Sequence, residues 1–320
     1  MNNYRASLKY HAKAKAISLK TNNDDDLVND FNNISVVYED MGKYPEAKKA
    51  LDYCLNKPNL KRIILKDPIV LANYARHLFA LNEFKLGFPY ATKALAISRR
   101  QGLKRVEQRI LGSIGTGYFY KNDFKNAALH FSAAKDIAAR IGDTEGMEIM
   151  LNNVAACMIY LGEFTKALEY YDHLIDLIGF NRFNATKLSN YSFALYNTGK
   201  TATGKKYIKK AIEKAKKRNE IDVLAGCYLI YGKFLVRSDP KKAVAVFLSA
   251  ENIYRKNRNK NRLSIIYDLL GDLYYSKKDL SKTMLYYEKA LDLKKIVFGI
   301  NSTEYIDLRE KLIDRILGPA

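Results

Sequence analysis

The chain has 320 residues, 48% of them hydrophobic, with 54 Lys and Arg against 34 Asp and Glu for a net charge of +20. That apolar content is enough for a packed core, and 6 prolines and 17 glycines are few for an all-β or disordered chain. No Gly/Ser-rich or Pro-rich linker marks a boundary between independent domains, and no run of about 18 apolar residues exists to span a membrane. Cys54, Cys157 and Cys227 are too sparse for a disulfide framework and read as small core residues in a reducing compartment. His11, His77, His130 and His173 are scattered, and there is no HExxH, CxxC, GxxxxGK[ST] or GxSxG signature. Near Met1 there is no apolar core of about 7–15 residues, as a signal peptide requires.

In chain order, residues 4–18 read as the second helix of a pair whose first helix is missing. The chain is therefore expected to begin in mid-repeat, as a fragment or with a degenerate first helix. Then come four phrases that look alike: YEDMGKYPEAKKAL at 38, YKNDFKNAALHF at 120, YLGEFTKALEYY at 160 and YSKKDLSKTMLYY at 275. Each ends one helix, turns through Gly, Asn or Asp, and opens a second helix with an aromatic–x–x–small pattern. Aligning on them gives one apolar anchor per first helix: Ile34, Tyr74, Ile114, Val154, Tyr191, Tyr231 and Leu270, spaced by 40, 40, 40, 37, 40 and 39 residues. Asp67-Pro68 and Asp239-Pro240 read as an N-cap followed by Pro at the first helical position. At the end, Ser302 or Thr303 caps a last helix with Tyr305, Leu308, Leu312 and Ile316 along one face.

The residue after each anchor is small: Ser35, Ala75, Gly115, Ala155, Ser192, Gly232 and Gly271. In the second helices the matching small positions are Ala47, Gly87, Ala127, Ala167, Gly204, Ala243 and Thr283. Four residues on come Leu51, Ala91, Phe131, Tyr171, Ile208, Phe247 and Tyr287, all large except Ala91. Antiparallel helices approach to about 8–10 Å only where side chains are small, and a large residue then fills each adjacent gap. Recurrence at i, i+4 and i+7 is a helical stripe, not a strand pattern.

This pattern, met seven times over residues 4–295, resembles the tetratricopeptide-repeat (TPR) family. Its period of 40 exceeds the usual period of about 34 and resembles the longer repeats of kinesin light chains and bacterial peptide-pheromone receptors. The resemblance implies an all-α, right-handed superhelical solenoid of stacked antiparallel helix pairs. Residues 1–299 would form it, with a half repeat at 1–20 and seven pairs, and 300–320 would be a C-terminal capping helix. It also implies that first helices line a concave groove. The residues two before each small position then face the ligand: Asn33, Asn73, Ser113, Asn153, Asn190, Ile230 and Leu269. Asn is a poor helix-interior residue, so its recurrence needs a reason. An amide both donates and accepts, and a row of amides resembles the asparagine ladder that holds peptide backbones in long-repeat TPR proteins. The plainer reading is that each Asn bonds within the solenoid. Asn32, Asn152, Arg76, Lys233 and Arg237 are neighbouring candidates, the cations for acidic side chains or a terminal carboxylate. Phe119, Tyr120, Tyr160 and Tyr196 either pocket ligand side chains or pack the next repeat.

Residues 201–262 carry 17 Lys and Arg against 5 Asp and Glu. Lys205, Lys206, Lys209 and Lys210 flank Ile208 and should face outward, as a solvated face, a dock for an acidic protein, or a nucleic-acid patch. No RNA-reading signature accompanies them. Asp268 and Asp272, one turn apart, are either a weak cation site or solvated charge. Titratable groups do not recur at one repeat position, so no enzyme and no cofactor are expected. The expected function is a protein- or peptide-binding scaffold, its ligand extended along repeats at 27–200 and its acidic end toward Lys233. Nucleic-acid association through 201–262 and an assembly adaptor binding through its convex face are the alternatives. The expected location is cytoplasmic, or periplasmic if the chain is a fragment.

Overall fold

A computed structural model describes residues 4–317; residues 1–3 of the expected half repeat and 318–320 of the expected capping helix lie outside the described residues. Every described element is helical. The chain divides into two compact units, residues 1–178 and 179–320. The first holds α1 (Tyr4–Lys20), α2 (Asp24–Asp40), α3 (Tyr44–Leu55), α4 (Pro58–Ile64), α5 (Pro68–Ala80), α6 (Phe84–Arg100), α7 (Lys104–Tyr120), α8 (Phe124–Arg140), α9 (Thr144–Tyr160) and α10 (Phe164–Ile178). The second holds a 3-10 turn (Phe180–Arg182), α11 (Ala185–Asn197), α12 (Thr201–Lys217), α13 (Ile221–Leu235), α14 (Pro240–Lys256), α15 (Lys260–Ser276), α16 (Leu280–Phe298) and α17 (Thr303–Leu317).

The 40-residue period is two helices of 17 residues, each closed by three residues of turn. In the first unit Asn22, Gly42, Asn82, Gly102, Asn122, Gly142 and Gly162 all take positive φ, 50–76°. Gly and Asn enter that left-handed region most readily, which is why they punctuate the sequence there. The series advances by 20 and skips 62, where the short α4 intervenes. Pro58 causes the break: it cannot continue α3, so α3 ends at Leu55 and a new helix starts on the proline. The sequence pattern did not predict α4. After several turns an acid caps the next helix; Asp123, Asp239 and Asp279 accept from the backbone N–H three residues on at 3.2, 3.0 and 3.1 Å. Each cap contributes about 1 kcal/mol.

The small and large positions of the sequence pattern meet in space. A Cβ added to Gly115 would lie 2.7 Å from the Phe131 ring, one on Gly232 2.2 Å from Phe247, and one on Gly271 2.5 Å from Tyr287. The second helix thus seats its large residue on the bare backbone of the first. Tyr74, Ile114, Val154, Tyr231 and Leu270 are buried as anchors, whereas Ile34 and Tyr191 are only half-buried. Tyr191 belongs instead to an aromatic group with Phe180, Phe183 and Tyr207, ring centroids 4.6–6.3 Å apart. On α17 Leu308 is buried and Tyr305, Leu312 and Ile316 are half-buried, so the expected stripe is its packed face.

Candidate functional site

In the first unit, α5, α7 and α9 present one face on which Arg76, Ser113 and Asn153 line an open cleft of about 440 Å³. Arg105, Gln108, Arg109, Asp143 and Glu145 line it too, and the sequence pattern had not singled them out. A smaller recess beside it is bounded by Asn73, Arg76, Arg109 and Ser113. The predicted residues of α5, α7 and α9 therefore share a surface, but they are not equivalent there.

Asn73 is buried, and both ends of its amide are engaged. Its Nδ2 donates to Asn32 Oδ1 at 2.8 Å, and its Oδ1 accepts from Arg76 Nη2 at 3.0 Å. Arg76 in turn grips Glu39 with Nε at 2.5 Å and Nη2 at 2.7 Å. A network thus ties α5 to α2, and a ligand meets Asn73 and Arg76 already occupied. His77 lies under it, fully buried, its Nε2 3.2 Å from Ser35 Oγ. Burial pushes its pKa down to about 4, against the pull of Glu39. The 3.7 Å approach to Glu39 is therefore between a neutral imidazole and a carboxylate at neutral pH. Ser113 returns its hydroxyl to Arg109 O at 3.0 Å.

Four amides are less well satisfied. Asn33 is exposed. Asn153, half-buried in the cleft wall, has only a long 3.5 Å contact from Asn152 Nδ2. Asn152 Oδ1 and Gln108 Oε1 are buried without a hydrogen-bond partner among the described residues. Gln108 fits because position 146 is glycine: a Cβ there would lie 2.0 Å from its Nε2. Arg105 and Arg109, one helical turn apart, are exposed and make no ion pair among the described residues. Their spacing on α7 was legible, but nothing in the sequence told a groove arginine from a solvated one.

In the second unit Asn190 is half-buried, Arg237 is exposed, and Ile230 and Leu269 are half-buried. Lys233 is half-buried with its Nζ 5.1 Å from the Phe193 ring centroid. Asp268 and Asp272 are partly exposed but ion-paired: Lys311 donates to them at 2.7 and 2.9 Å, and Arg315 bonds Asp272 and Tyr287. They anchor α17. Among the described residues no group of three His, Cys, Asp or Glu could hold a metal ion, and no helix is long and apolar enough to cross a membrane.

Lys206, Lys209 and Lys210 are exposed opposite buried Ile208, as expected. Lys205 is half-buried, its Nζ 3.4 Å from Ser238 Oγ, so it faces outward only in part. Lys214 is a structural cation, donating to Phe183 O at 2.5 Å. Three of the four aromatics pack on other rings: Phe119 and Tyr160 converge on Phe124, at 5.3 and 4.6 Å, and Tyr196 meets Phe234 at 4.8 Å, whereas Tyr120 is exposed.

No family model matches the sequence, and no curated protein is similar to it in sequence. The fold is similar to those of solved structures. The apo form of the quorum sensor NprR from B. thuringiensis superposes with a TM-score of 0.70 at 16% identity, over 91% of this chain and 82% of that one. Aspartyl phosphate phosphatase F from Bacillus subtilis gives 0.63 at 13%, over 88% and 75%. The Rap conjugation gene regulator of plasmid pLS20, in complex with the Phr* peptide, gives 0.58 at 13%, over 92% and 77%. The fold is the TPR-type helical repeat these proteins share.

Proposed function

We propose that the chain is a non-catalytic peptide-binding scaffold, the sensor or adaptor part of a regulatory protein, and that an extended peptide lies along α2, α5, α7 and α9. The carrying observation is the cleft where half-buried Asn153 and unpaired Arg105 and Arg109 stand beside the buried, unpartnered oxygen of Gln108. Free amides suit a peptide backbone, whose N–H and C=O groups recur whatever its side chains. In this ladder Asn33, Ser113 and Asn153 contact ligand and Asn73 serves by orienting Arg76. The likeness to a quorum sensor and to a peptide-bound regulator supports the reading at the level of fold. Likeness to a phosphatase at 13% identity carries no catalytic residue across.

Capture of peptides from the source organism's lysate tests it, comparing the native chain with Asn33→Ala/Asn153→Ala. Asn73 is left intact because its loss would unseat Arg76. Peptides retained by the native chain should fall at least tenfold on the variant. Equal capture by both would sink the groove reading.

A second reading rests on Lys206, Lys209 and Lys210, which are exposed and make no ion pair among the described residues. An acidic protein or nucleic acid on this outer face would dissociate steeply as salt rises, whereas a peptide held by amides would not.

A further inference from the structure

We infer that the cleft of the first unit selects an acidic peptide: one residue of the ligand gives its carboxylate to Arg105 and Arg109 and its N–H to Gln108. The inference rests on the peptide-binding reading and assigns the ligand a charge.

Positions 105, 108, 109 and 112 follow the spacing i, i+3, i+4 and i+7, so α7 carries them on one stripe, and that stripe lines the cleft. Arg105 and Arg109 are like charges one turn apart, a spacing that repels. The acids around them are engaged elsewhere. Glu107 accepts from Arg99 at 2.8 Å and from Lys104 at 2.9 Å. Glu39 is gripped by Arg76. Asp143 caps α9, accepting from Gly146 N at 3.0 Å. Glu145, exposed on the α9 wall, makes no ion pair with either arginine among the described residues. Two guanidinium groups left open on one face can share a carboxylate through charge-assisted hydrogen bonds. Asp143 and Glu145 repel an acid from the α9 wall, so charge directs the ligand's carboxylate to α7.

Exposed arginines alone would be solvated charge; Gln108 between them is what points to a ligand. It is only 3% exposed, lines the cleft, and its Oε1 has no hydrogen-bond partner among the described residues. A buried oxygen without a donor is costly, and an apolar side chain of the same size would carry no such cost. A donor brought by the ligand accounts for the glutamine. Its terminal torsion is soft, so Oε1 turns to a donor in the cleft with little strain. An Asp, a Glu or a C-terminal residue carries an N–H and a carboxylate together, so one residue satisfies Gln108 and the arginine pair at once.

The test uses the full chain and random heptapeptide libraries made in C-terminal acid and C-terminal amide forms, with retained peptides read by mass spectrometry. The native chain should enrich carboxylate-bearing peptides about tenfold over neutral ones, the effect of one or two charge-assisted bonds. Arg105→Gln/Arg109→Gln should lose that preference while still retaining neutral peptides. Lys206→Gln/Lys209→Gln removes the same charge from the second unit and should keep the preference; an equal loss there would assign it to net charge and overturn the site. If the acid form is favoured over the amide, the arginines take the C-terminus; if internal Asp or Glu is enriched in both forms, they take a side chain. No acidic preference, or one that survives in the arginine variant, overturns the site and leaves peptide binding standing. A native chain that retains no peptide overturns the peptide reading and the site with it. Gln108→Met keeps the bulk and removes the unpartnered oxygen, so its melting temperature should rise while capture of acidic peptides falls severalfold. A lower melting temperature, or unchanged capture, would make Gln108 a structural residue and overturn the two-point site.

Discussion

Gly232 and Gly226 lie six residues apart in α13, and the same substitution should move stability in opposite directions. A Cβ at 232 falls 2.2, 2.6 and 2.7 Å from three atoms of the Phe247 ring. Carbon atoms rest about 3.5–4.0 Å apart, so the ring must retreat by more than an ångström. Phe247 is fully buried and cannot do so unless α14 moves. Overpacking of this kind costs about 1–3 kcal/mol, and 232 sits at the upper end. Ala gains about 1 kcal/mol over Gly in a helix interior, which leaves a net loss of about 1–2 kcal/mol. At Gly226 the only neighbour of a new Cβ is Tyr254 Oη at 3.7 Å, an ordinary contact. Gly226→Ala therefore keeps the propensity gain and should stabilise by about 0.5–1 kcal/mol. Urea unfolding followed by far-UV circular dichroism reads both. Gly232→Ala combined with Phe247→Leu should recover part of the loss. Equal effects of one sign at the two positions would refute close helix approach as the reason for glycine after the anchor.

His77 titrates near 4 in the fold against about 6.5 when unfolded. Its depressed pKa makes its contribution complete above pH 6.5 and progressively lost as pH falls toward 4, with a slope of up to about 1.4 kcal/mol per pH unit. His77→Gln should flatten the stability–pH curve in that window, and an unchanged curve would show that His77 is not the titrating group. Burial pushes the thiols of Cys54 and Cys157 up to about 12 and that of Cys227 to about 11. Folded protein should resist iodoacetamide, and all three cysteines should label on unfolding; rapid labelling of any one in native buffer would contradict its packing. Lys311→Met/Arg315→Met removes the cations by which α17 holds Asp268 and Asp272. It should raise chymotrypsin cleavage within 299–317, at Tyr305, Leu308 or Leu312, severalfold, with the rest of the chain unaltered by circular dichroism.

The scaffold was legible because close packing writes itself into side-chain size. Gly115 under Phe131 and Gly271 under Tyr287 appear in the sequence as small and large residues at constant offsets. Most turns were equally plain, since Gly or Asn stands where φ turns positive, but Arg258 and Lys278 take that place in the second unit. What interrupts the period was harder to see. Pro58 was visible, but whether it kinks, ends or restarts a helix depends on what covers the freed backbone. The groove was legible as a position and not as a state. Asn33, Asn73 and Asn153 occupy one register, yet Asn73 is consumed by Asn32 and Arg76 while Asn33 stands exposed. The difference comes from Glu39, a residue 34 positions earlier that no local pattern links to Asn73. Gln108 was missed for a related reason: its burial follows from Gly146 on the next first helix.

The net charge of +20 illustrates how a sum over residues differs from a field at a site. Lys214 holds the 3-10 turn, Arg255 bonds Glu251, and Lys311 and Arg315 dock α17. These cations are spent inside the fold and offer little to a partner. The exposed lysines of α12 keep their charge, but water and salt already screen it. In a repeat protein the framework positions are free to repeat, since each packs only on its neighbours. A ligand must break that translational symmetry to bind in one register.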